Sequence, residues 1–152
     1  MNYINRLLLV CSSLILLAGC KGNIACQNPP PVLRFVLNTP NGANAVTADN
    51  AGQIAIRYAR NGQPTTIKDV RVSTGPSYAV ESYELIEIAR QTSDTTQFHV
   101  VANDKTLGAI QLKTYVDNSP CDGWTHINEL RFNGQVVAYD NMKPGYTLVV
   151  AP

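Results

Sequence analysis

The chain has 152 residues, with 12 Lys+Arg against 11 Asp+Glu. So balanced a charge offers no electrostatic reward to nucleic acid or an anionic membrane surface, both of which favour a basic excess. At 45% hydrophobic and 15% charged, the composition is that of an ordinary globular domain able to bury a modest core.

In chain order, Arg6 precedes an almost wholly apolar run from Leu7 to Ala18, broken by Ser12 and Ser13. Small residues, Ala18 and Gly19, close it. A charged start, an oily centre and a small-residue end form the pattern of an export signal. The run is too short to span a bilayer, which needs about 20 apolar residues. It ends in LLAGC, Leu16 to Cys20, which resembles the lipobox of bacterial lipoproteins. That resemblance implies a thioether-linked lipid on Cys20, an acylated amine beside it, and loss of residues 1–19. One acyl chain holds a protein to a membrane only marginally, whereas two or more hold it stably. Removing 19 of the 152 residues leaves 133, and removing Arg6 leaves 11 basic residues against 11 acidic. The division expected is a signal peptide over 1–19, a lipid-anchored tether over 20–31 and a β-sandwich domain over 32–152.

Cys11 falls inside the signal and Cys20 is the anchor, so Cys26 and Cys121 remain. Two cysteines in an exported protein suggest a disulfide. Closing a loop of 95 residues, from 26 to 121, is worth about 4–5 kcal/mol in the loop-entropy picture. The alternatives are two unpaired buried thiols, or Cys26 left free in a flexible tether. With the bond, only Lys21 to Ala25 separate lipid from staple, at most about 18 Å of chain. Without it, the prolines 29–31 act as a stiff spacer.

Beyond the prolines the pattern has period two. Leu33, Phe35 and Leu37 share a face, as do Ile54, Ile56 and Tyr58. Val70 and Val72 alternate with Asp69 and Arg71; Phe98, Val100 and Ala102 follow, then Ile110, Leu112, Thr114 and Val116. These predict half-buried strands. Asn-Gly pairs at 41–42, 61–62 and 133–134, and Pro144-Gly145, predict turns. The segment SYAVESYELIEIARQ, residues 77–91, fits either a helix or a strand. Strand is preferred here, because no other stretch supplies a helical layer. The expectation is an all-β, antiparallel sandwich of about seven to eight strands.

The lipobox, the prolines and a strand carrying Phe35, Leu37, Gly42 and Asn44 together resemble the small lipoproteins of Bacteroidetes-type bacteria. The strand 110–116, Cys121 and LRFNGQVV extend the likeness. It implies an immunoglobulin-like or transthyretin-like sandwich and no known activity. Lys21-Gly22-Asn23 stand where surface-exposed members carry acidic residues, which implies the periplasmic side of the outer membrane.

Chemistry is sparse. There is no nucleophile elbow, phosphate loop or calcium loop. His99 alternates within a strand and is expected at solvent or a sheet rim. Glu81, Glu84 and Glu87 read as solvated charges. Asp122, His126 and Glu129 offer one imidazole without zinc-site spacing, so no metal and no cofactor are expected. The stretch SPCDGWTHIN gathers Cys121, Asp122, Trp124 and His126 as a candidate binding loop, although Trp124 fits better as a core residue covering a disulfide. The expected function is a non-enzymatic binding or structural role, with membrane lipid and an envelope protein as partners. The rivals are an inhibitor or immunity lipoprotein that blocks a hydrolase, and a small carbohydrate-binding module.

Overall fold

The computed structural model describes residues 28–75, 77–119, 122–143 and 145–150. The export segment, Cys20, Cys26 and Cys121 lie outside them. Among the described residues, eleven strands occur in chain order: β1 (Leu33–Asn38), β2 (Ile54–Arg60), β3 (Gln63–Thr66), β4 (Arg71–Val72), β5 (Val80–Ser82), β6 (Phe98–Ala102), β7 (Lys105–Val116), β8 (Thr125–Phe132), β9 (Gln135–Val137), β10 (Tyr139–Asp140) and β11 (Gly145–Val149). One helix, α1 (Glu84–Gln91), follows β5. The strands form two sheets, ordered β10-β11-β1-β5-β4 and β3-β2-β6-β7-β8-β9, one of them curled into a half-barrel.

The period-two runs become strands as expected, except that of 69–72 only Arg71–Val72 pairs, with Val70 and Val72 half-buried. Leu33, Phe35 and Leu37 are fully buried, and Ile54, Ile56 and Tyr58 nearly so. They meet Phe98, Val100, Ile110, Leu112, Leu130 and Phe132 from the six-stranded sheet in a single core. A bulge between Val100 and Val101 breaks the alternation, so Val101 is buried beside Val100 and Ala102. Val116 departs from its run and is exposed at the end of β7. Gly108, inside β7, lies beneath the Phe132 ring: a Cβ there would come within 2.1 Å of the ring.

Three features correct the sequence reading. The strands number eleven because β3, β9 and β10 are two to four residues long. They extend hairpins with exposed residues and carry no apolar alternation. The pairing is not wholly antiparallel: β1 runs parallel to β11, with Phe35 opposite Tyr146 and Asn38 opposite Val149. Local patterns carry no signal of that pairing. Lastly, Glu84–Gln91 is a helix.

Its cause is a polar knot. The Ser82 hydroxyl accepts from the Leu85 N–H at 3.1 Å, the role of an N-terminal cap. Ser82 itself donates to Asp69 at 2.6 Å. The same carboxylate accepts from the Tyr83 and Glu84 N–H groups at 2.8 and 3.0 Å. Three of the otherwise orphaned N–H groups are thereby satisfied. Glu84 and Glu87 in the first turn and Arg90 in the last complement the helix dipole. Leu85, Ile86 and Ala89 are buried, joining the core on the side of β7 and β8.

Candidate functional site

The loop singled out from sequence joins β7 to β8 and is tied together locally. Asp117 N–H donates to the Trp124 carbonyl at 3.1 Å, and Asp122 N–H to the Ser119 carbonyl at 3.1 Å. The Asp117 carboxylate accepts from Ser119 N–H at 2.8 Å. The Asp122 carboxylate accepts from Trp124 N–H at 2.9 Å, and the same oxygen lies 2.8 Å from His126 Nε2. The Tyr115 ring stacks on His126, with centroids 5.4 Å apart. The His126 bond, then the Trp124 N–H, hold the Asp122 carboxyl below its ordinary range.

Two of the three expected loop residues therefore meet. The third is directed elsewhere: the Trp124 indole N–H donates to the backbone carbonyl of Asn28, 3.0 Å away. Half-buried, it is not part of the central core. The loop thus lies against the start of the described chain.

Glu129 does not join the pair. A bulge in the β7–β8 ladder sets Lys113 opposite Glu129 and Tyr115 opposite His126. Lys113 and Tyr115 are two apart on β7, so Glu129 and His126, three apart on β8, share the outer face. There Glu129 is held at 2.8 Å by Arg131 and at 3.2 Å by Lys113. Arg131 first, then Lys113, lower its carboxyl pKa. Sequence spacing missed Asp117 instead. Asp117, Asp122 and His126 have ligand atoms within 4.8 Å of one another and are the residues that could hold a cation. The Asp122–His126 pair is already satisfied by hydrogen bonds, with one imidazole and two partly exposed carboxylates.

The other candidates disperse. Glu81 faces Arg34 across β1 and β5 at 3.5 Å. Glu84 accepts from Lys68 N–H at 2.9 Å, and Glu87 pairs with Arg90 at 3.1 Å. His99 is half-buried on β6 opposite Arg57, lining a shallow hollow of about 590 Å³. A second cleft, of about 520 Å³, lies against β1 and β11. Trp124 lines neither.

Comparison with protein-family models, curated proteins and solved structures finds no match for this chain. What the structure establishes is a mostly-β domain of two sheets with one short helix.

Proposed function

We propose that this chain is a bacterial envelope lipoprotein, anchored through acylated Cys20, whose two-sheet body has a non-enzymatic binding or structural role. The observation that carries the reading is the LLAGC ending of the apolar run. The finer fold reading, an immunoglobulin-like or transthyretin-like sandwich of the small Bacteroidetes-type lipoprotein kind, belongs to the same proposal. Two core-sharing sheets support it. So does the domain boundary: β1 begins 13 residues after Cys20. The proposed placement is the outer membrane, facing the periplasm, with an envelope protein as partner.

The contact between Trp124 and Asn28 supports the Cys26–Cys121 pairing within this proposal. Cys26 is two residues from Asn28 and Cys121 three from Trp124, separations of at most about 7 and 11 Å along extended chain. The same contact brings the 117–126 loop near the anchor. Eight residue steps from Cys20 to Asn28 reach at most about 29 Å.

Cys20→Ser tests the anchor. The native protein should fractionate with membranes and carry the added mass of two or three acyl chains, whereas the variant should appear in the soluble periplasmic fraction. A native protein with an intact first residue and an unmodified Cys20 thiol would end the proposal.

A further inference from the structure

The cleft on the outer face of the five-stranded sheet has the chemistry of an anion site. Its wall is built from alternate residues of β1, Arg34, Val36 and Asn38, beside Gly145 and Thr147 of β11. Lys143, from the turn before β11, lies at the Arg34 end. Asn44 and Ser77, from two loops, add further polar groups to the lining. Four residues of strand separate Arg34 from Asn38, about 13 Å. The volume of about 520 Å³ falls within the range of small-molecule sites.

The charges are unbalanced. Both cations line the cleft and no carboxylate does. Arg34 has a single ion pair, to Glu81 at 3.5 Å, and its side chain is 47% exposed. Lys143 makes no ion pair among the described residues. Asp140, opposite Gly145 in the ladder, turns its carboxylate into its own turn, accepting from Met142 and Lys143 N–H groups. The arginine of the hollow on the other sheet, Arg57, is held by Asp104 at 2.7 Å, a shorter pair than that of Arg34 with Glu81. At the far end, Asn44 Oδ1 accepts from Val46 N–H, which leaves its amide donors for a ligand. Gly145 keeps the cationic end open. Its φ is +147°, and a Cβ would stand 2.8 Å from the Arg34 carbonyl.

We infer that this cleft binds a small, hydroxyl-rich oxyanion: a carboxylate or phosphate held by Arg34 and Lys143, with a polar body reaching Asn38, Asn44 and Ser77. Guanidinium and ammonium groups bind such oxyanions through charge-assisted hydrogen bonds. The amide and hydroxyl end suits sugar hydroxyls. The inference does not depend on Cys20 acylation.

The test titrates the ¹⁵N-labelled full chain in detergent with glucuronate, inorganic phosphate and glucose. Glucuronate or phosphate should move the Gly145 and Thr147 amide signals with a Kd of about 1 mM or tighter, and glucose should not. Whichever anion binds tighter names the head group. Arg34→Gln and Lys143→Gln change exposed side chains and should each weaken binding about tenfold, while Arg57→Gln leaves it unchanged. The inference is overturned if neither anion moves those signals, if glucose moves them equally, or if the Arg34→Gln, Lys143→Gln double variant binds as the parent does.

Discussion

Asp69 and Asp122 each gather hydrogen bonds onto one carboxylate, but from different reaches of the chain. Asp69 holds groups 13 to 15 residues away. It sets the start of α1, the helix that packs on β7 and β8. Asp122 holds groups two and four residues away and organises only its own loop. The first is part of the fold, because a helix and a sheet edge both depend on it. The second shapes a surface, and the sheets beneath it are complete without it. Carboxylates that look alike in a sequence thus divide by the distance over which their partners are recruited.

Asp69→Ala should show the greater effect. It leaves the Ser82 hydroxyl and two helix N–H groups without their acceptor, at a cost of about 3 kcal/mol, read as a lower midpoint in urea denaturation. An unchanged midpoint would mean that water replaces the carboxylate and that the two nodes are equivalent. Ser82→Ala follows, at about 1–2 kcal/mol, the usual cost of a lost cap, checked by thermal unfolding. Because Ser82 and Asp69 share a bond, the double variant should lose less than the sum of the singles.

The loop responds more weakly. Trp124→Phe keeps an aromatic ring but deletes the indole N–H bond to Asn28 with the pyrrole half of this half-buried side chain, so about 1 kcal/mol should be lost. Limited proteolysis near Asn28 should quicken with it; resistance equal to the parent's would show the contact to be unimportant.

The smallest change belongs to Asp122→Asn, and it fades in acid. The carboxyl pKa is lowered in the folded state by His126 and by the Trp124 N–H. Its contribution is therefore complete above the unfolded value, near 3.8, and is lost as pH falls through the lower folded value. The parent's advantage over the variant should shrink below about pH 4, read from urea midpoints at a series of pH values. An advantage that persists undiminished in acid would contradict this assignment.

The contrast also marks what could be read without a structure. The inward faces of β1, β2, β6 and most of β7 follow from alternation alone, because burying one side of a strand imposes period two. The turns at 61–62 and 133–134 follow from Asn-Gly. The Asp122–His126 contact was within reach because four residues separate the partners. The helix was missed for the same reason Asp69 matters: its cap is completed by a residue 13 positions upstream, and the local composition suits both states. Asp117 escaped notice because it reaches His126 only when the intervening loop folds back. The anion cleft draws on two strands and three loops, a convergence that linear order conceals.

The parallel ladder between β1 and β11 has a mechanical consequence. Its matched residues run from Phe35–Tyr146 to Asn38–Val149, so the start of β1 and the end of β11 lie at opposite ends of the ladder. A pull between Leu33 and Val149 loads that ladder in shear, straining its hydrogen bonds together rather than peeling them one by one. A body tethered at one end and gripped at the other would resist extension along this seam.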